Sequence, residues 1–93
     1  MGALELNAHA QTRMQQRGIP PRVLECLLDY GREVHDGHGG AILYFDKAAR
    51  RRLALETGRE TLRRLGKHLG AYAVMVNGDV ATVGHRYRRV WRR

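Results

Sequence analysis

The chain is poor in several residue types, and each shortage closes off a class of protein. Its 93 residues hold one cysteine, one tryptophan, one phenylalanine and two prolines. The single Cys26 excludes an internal disulfide. It stands among leucines with no activating base nearby in sequence, so it reads as a small core residue with an inert thiol. No apolar run approaches the length of a membrane span, and the first residues lack the hydrophobic region of a signal peptide. The expectation is a cytoplasmic protein that does not engage a membrane. Acids are also scarce, nine against 17 Lys and Arg. There is no pair of carboxylates on a shared face, no glycine-rich phosphate loop before a helix and no nucleophile elbow. Repeats, linkers and low-complexity segments are missing, which leaves one domain, residues 1–93.

What the chain does have is positive charge. The formal net charge is +8, and 15 of the 17 basic residues are arginine. A guanidinium is a flat fork that holds phosphate at two points and stacks on bases. This bias points to nucleic acid, or to an acidic protein that masks the same surface; the plainer alternative is an Arg-rich surface that only keeps the protein soluble. A domain this short buries only a modest core, so a partner can add to its stability.

The order of elements follows from periodicity and punctuation. Residues 3–6 are a brief strand or an anchor. Asn7 is a good cap for a helix from Ala8 to Arg17, which Gly18 closes. Pro20-Pro21 restarts the chain, and Val23, Leu24, Leu27 and Leu28 mark the core face of a second helix that stops at Gly31. The short link predicts a helical hairpin. Arg32 to Asp36 and Ala41 to Phe45 read as strands around the turn Gly37-His38-Gly39-Gly40. Asp46 caps a helix from Lys47 to about Glu56. Thr57-Gly58-Arg59-Glu60 has the capping-box pattern, which predicts a further helix up to Gly70 with Leu62, Leu65 and Leu69 inward. Ala71 to Val76 suits a central strand, Asn77-Gly78 is a strong hairpin turn, and Val80 to Val83 returns. The fold class is α+β: an N-terminal helical hairpin plus an antiparallel sheet of about four strands, with a helical insertion between the strand pairs. The free face of that sheet is the expected place for a site.

Two constellations could carry chemistry. Cleaving RNA without a metal needs a base for the 2′-hydroxyl, an acid for the leaving oxygen and cations for the phosphate. His85, Arg86, Tyr87 and Arg88 supply imidazole, guanidinium and phenol within four residues, with Arg89 following. Gly84 is a candidate bulge that would re-aim them. The plainer alternative is a basic edge strand whose charges prevent aggregation. On the first helix, His9 and Arg13 are an i, i+4 pair that can present a proton donor beside a phosphate clamp, and Arg17 continues that face. The alternative is a histidine that caps or packs the helix start, with Arg13 paired to an acid such as Glu5 or Asp29. Arg59, Arg63, Arg64 and Lys67 are either a solvated helix surface or a phosphate-tracking ridge. Arg50 and Arg51, in the run Arg50-Arg51-Arg52, join Arg63 and Arg64 as candidate nucleic-acid contacts. Trp91 reads as a tail aromatic over the sheet edge. His35 and His38 lie three apart, but no cysteine or acidic cluster completes a metal set, so they read as polar turn residues. No cofactor is implied.

The run His9-Ala10-Gln11-Thr12-Arg13-Met14-Gln15-Gln16-Arg17-Gly18-Ile19 resembles the opening signature of a family of small bacterial proteins of unknown function, His-Ala-x-x-Arg-Met-x-x-Arg-Gly-Ile. That family looks related to the RelE/BrnT-like toxins of toxin–antitoxin systems, and Thr82 to Arg89 is similar to the last strand of such proteins. The resemblance implies a RelE-like domain and an endoribonuclease that cleaves single-stranded or messenger RNA. It also implies neutralisation by an acidic antitoxin protein. Its motif residues fall on His9, Arg13 and Arg17, and on His85, Arg86, Tyr87 and Arg88. The helical insertion from Asp46 to Gly70 departs from the best-known toxins. A non-catalytic nucleic-acid-binding or protein-interaction module using the same basic surface is the alternative.

Overall fold

The computed structural model describes residues 8–85. The segment 3–6, the cap Asn7, and Arg86, Tyr87, Arg88, Arg89 and Trp91 lie outside the described residues. Helix α1 (Ala8–Gln16) buries only Ala10 and Met14. It stops by two interlocked bonds: Ile19 N donates to Met14 O at 2.9 Å, and Gly18 N to Gln15 O at 3.3 Å. This is the Schellman stop, and it needs a left-handed residue at Gly18 (φ 63°), where a side chain would be strained. Ile19 then turns into the core and joins Met14 there. The Arg-Gly-Ile of the signature is therefore a helix stop with a hydrophobic latch.

Helix α2 (Pro21–Tyr30) follows, with Pro21 in its first turn and Val23, Leu24 and Leu27 buried. The expected hairpin is not what holds these helices. Helix α1 packs mainly along the last strand, whereas α2 packs on the two central strands and on the next helix. The thin apolar stripe of α1 and the wide stripe of α2 call for different partners, and each finds its own.

Strands β1 (Arg32–His35) and β2 (Gly40–Tyr44) form a hairpin. Helix α3 (Lys47–Thr57) starts at Asp46, whose Oδ1 accepts from Ala49 N at 2.7 Å. Helix α4 (Arg59–Leu65) does not use the expected capping box. Thr57 is still the last residue of α3, and its hydroxyl donates back to Leu53 O at 2.6 Å. Gly58 takes the cap position with no side-chain bond. Nor does α4 run on to Gly70. It breaks at Gly66, and a 3₁₀ segment, η1 (Gly66–Gly70), leads into the sheet.

Strands β3 (Ala71–Val76) and β4 (Asp79–His85) close the molecule through the turn at Asn77 (φ 51°) and Gly78 (φ 88°). The sheet is antiparallel throughout, in the order β1-β2-β3-β4. Ala41, Leu43, Ala73, Met75, Val80 and Val83 are buried on one face, over which Val23, Leu27, Phe45 and Leu53 complete the core. Burying a Leu or Phe side chain stabilises by roughly 1.5–3 kcal/mol, so these few residues carry much of the fold. Cys26 packs at the margin of this core, and burial pushes its thiol above the ordinary cysteine range. Among the described residues, no helix is long and apolar enough to cross a membrane.

The irregularity in β4 is not at Gly84. Met75 pairs with Val80 and Val74 with Thr82, so Ala81 is the extra residue of the bulge. Gly84 pairs regularly with Tyr72.

Candidate functional site: an imidazole pair beneath the last strand

The bulge decides where His85 points. Past Ala81 the alternation is regular, and Ala71 stands opposite His85 as Ala73 stands opposite Val83. Residues directly opposite in an antiparallel pair share a face. His85 therefore lies on the core-facing side, at its end, and not on the free face where the site was expected. Gly84, Tyr72 and Tyr44 form the neighbouring row on the other face.

There His85 meets a residue that sequence reasoning missed. His68, carried by η1, places Nδ1 3.1 Å from His85 Nε2. The two rings are stacked, 22° apart in plane, with centroids separated by 5.2 Å. At most one of the paired nitrogens can carry the bridging proton, so the pair is compatible with two neutral imidazoles or with one imidazolium. Its surroundings favour the neutral state. Partial burial holds both below the ordinary histidine value, and nearby positive charge adds to this. For His68 the charge is Lys67; for His85 it is His68, Lys67 and Arg17. Each ring keeps a second nitrogen outside the pair, His68 Nε2 and His85 Nδ1. The break at Gly66 is what turns His68 off the α4 axis; the bracketing glycines, Gly66 and Gly70, were the only hint in the sequence.

Arg17, the residue just past α1, is the motif cation whose side chain bonds to β4. It stands immediately before Gly18 of the helix stop, reaches the outer strand and donates Nη1–H to Val83 O at 2.9 Å. A Cβ on Gly84 would collide with this guanidinium and crowd the Tyr72 ring. The glycine is thus a close-approach position for Arg17. His9 and Arg13 are joined to each other, Arg13 Nε donating to His9 Nε2 at 3.4 Å. They sit one and two turns back from Arg17, and eight residues of helix advance about 12 Å. The α1 cation whose field reaches His85 is Arg17.

The remaining basic positions divide into two groups. Lys47, Arg50, Arg51, Arg59 and Arg63 line a shallow groove of about 460 Å³ between α3 and α4, floored by Ala54 and Leu62. No acid is among those lining residues. Arg50 is tethered there, Nη2 donating to Leu69 O at 3.4 Å. Arg63 also pairs with Glu60 at 3.6 Å, as does Arg64 on the far side of α4. These contacts are exposed and contribute little stability. His38 is an exposed turn residue as expected, whereas His35 ends strand β1, exposed and paired in register with Ala41; the carboxylate of Asp36 accepts from His38 N and Gly40 N, which holds its pKa below the usual range. Among the described residues, no three His, Cys, Asp or Glu side chains gather as a metal-binding group.

Comparison with protein-family models, with curated proteins and with solved structures gave no match. The reading of function therefore rests on the residues themselves.

Proposed function

We propose that this protein is a toxin-type, metal-independent endoribonuclease acting on single-stranded or messenger RNA, and that the His68–His85 pair is its proton-transfer unit. The observation that carries the reading is the bonded pair of imidazoles, biased to the neutral state and flanked by cations. A neutral imidazole near its pKa is the group best suited to take a proton at ordinary pH. An outer nitrogen of the pair accepts the proton of a 2′-hydroxyl. The freed oxygen attacks phosphorus, the bond to the 5′-oxygen breaks, and that oxygen takes a proton from an acid. The products are a 2′,3′-cyclic phosphate and a 5′-hydroxyl. In this scheme His85 is the general base of the pair or orients His68 as the base. Tyr87 is the candidate acid, and His9, Arg13, Arg86 and Arg88 are supporting contacts. Lys67 and Arg17 offset the charge that builds on phosphate.

The test uses labelled single-stranded RNA in the presence of chelator. Cleavage leaving cyclic-phosphate ends is expected, with His85→Ala slower by at least about 100-fold. RNA that stays intact with the native protein overturns the catalytic reading.

A specific observation supports a second reading. The α3/α4 groove, with five cations and no acid on its walls, suits phosphate contact without turnover. In that case the protein is a non-catalytic nucleic-acid-binding module. Under either reading, an acidic partner such as an antitoxin would compete with RNA for the groove.

A further inference from the structure

His68 has a second neighbourhood. Besides His85, it lines a cleft of about 310 Å³ between α2 and α4, formed with Pro20, Arg22, Val23, Thr61, Leu65 and others. We propose that this cleft is a nucleotide pocket, taking one nucleoside monophosphate unit of the substrate beside the imidazole pair. The proposal rests on the ribonuclease reading for its catalytic meaning, but it makes its own claim about binding.

Three features of the cleft argue for this ligand class. Its volume is at the small end of ligand sites, which suits one small molecule and is too little for a helix or a duplex. Its walls are divided by chemistry. Val23 and Leu65 are buried side chains that turn apolar surface toward the cleft, and Pro20 adds a flat ring. Opposite in character, Arg22 and Arg64 bring two guanidiniums, Arg64 through an exposed pair with Glu60 that a phosphate would have to displace, with His68 between the cleft and the imidazole pair. A flat apolar body with an anionic group is what such walls recognise, and a nucleotide has both. Finally, Thr57, Glu60 and Thr61 line the same cleft. Both threonine hydroxyls donate to backbone carbonyls, Thr57 to Leu53 O and Thr61 to Thr57 O. Their oxygens are left to accept, which fits the N–H edge of a base or the hydroxyls of ribose; the Glu60 carboxylate is already paired with Arg63 and Arg64.

The pocket also explains how substrate could approach a pair that sits on the helix-covered face of the sheet. His85 is half-buried there, and His68 is its link to the cleft. A phosphate held by Arg22 and Arg64 would enter from the α2/α4 side and meet His68 first.

The test is amide and imidazole NMR on the full chain, titrated with each ribonucleoside 5′-monophosphate, with inorganic phosphate and with benzoate. Saturable shifts at Val23, Thr61, Leu65 and the His68 ring are expected with at least one nucleotide, and weaker ones with phosphate. Arg22→Ala combined with Arg64→Ala should weaken nucleotide binding at least tenfold. Thr61→Trp, which fills the cleft from a half-exposed position, should abolish it while the amide spectrum stays folded. Shifts confined to the α3/α4 groove, equal binding of benzoate, or no binding at all would overturn the pocket. If RNA is still cleaved in that event, the ribonuclease reading survives without it. If nucleotides bind in the cleft but RNA is never cleaved, the pocket stands and the catalytic reading falls.

Discussion

His68 Nδ1 and His85 Nε2 lie 3.1 Å apart, one on a 3₁₀ segment and one at the end of the outer strand. The pair joins the helical insertion to the sheet, so its protonation state bears on folding and, for the proposed ribonuclease, on activity.

Activity should rise with pH to a plateau, with a midpoint below the ordinary histidine value of 6.5, because burial first and neighbouring charge second hold His85 down. His68→Asn keeps a polar side chain but removes one charge that opposes protonation of His85. The midpoint should then move upward toward 6.5, alongside any fall in rate. A pH–rate profile of RNA cleavage for both proteins checks this. An unmoved midpoint would mean that His85 does not sense His68.

Stability should fall in two acid steps. His68 and His85 have folded-state pKa values below the unfolded value of 6.5, so the unfolded chain binds more protons in that range. Their contribution is complete above 6.5 and is lost as pH falls through 6.5 toward the lower folded values. Asp36, also lowered, adds a second loss below its ordinary 3.8. Urea midpoints measured from pH 8 to pH 3 should show both steps. His85→Phe should shrink the first step to the share of His68 and leave the second in place.

Gly84→Val should destabilise by about 1–3 kcal/mol, since its side chain would have to displace Arg17 and press on Tyr72. The bond from Arg17 to the Val83 carbonyl would be lost with it. Arg17→Gln in the same background tells the causes apart. If the glycine matters because Arg17 approaches it, the two substitutions together should cost less than their sum.

RNA affinity should fall steeply with salt, and Arg51→Ala or Arg63→Ala should each reduce the slope of log affinity against log salt by about 1. Filter binding across a salt series measures this. Unchanged slopes would place the phosphate contacts elsewhere than the α3/α4 groove.

Local chemistry made most of the fold readable in advance. Pro20-Pro21, Asp46 and Asn77-Gly78 act within a few residues of themselves, and each did what its type dictates. The capping box failed because Thr57 had a competing acceptor in the previous turn, Leu53 O. The bulge at Ala81 was hidden because nothing in Val80-Ala81-Thr82 distinguishes a slipped register from a regular one. The candidate site was half legible. His85 stood out by its neighbours in sequence, whereas His68 becomes visible only when η1 folds back over β4. His9 was grouped with His85 by type; the side chain that bonds to β4 is instead that of Arg17, set just past α1 by the helix stop at Gly18.

The sheet has two unlike ends. Asn77 N donates to Gly39 O at 2.8 Å, which ties the β1/β2 turn to the β3/β4 turn. The links from α2, to α3 and from η1 all join the sheet at the opposite end, the one that holds His85. Evolution or an engineer can therefore lengthen, tag or fuse at the paired turns and leave the chemistry's surroundings untouched, giving this small domain a built-in handle.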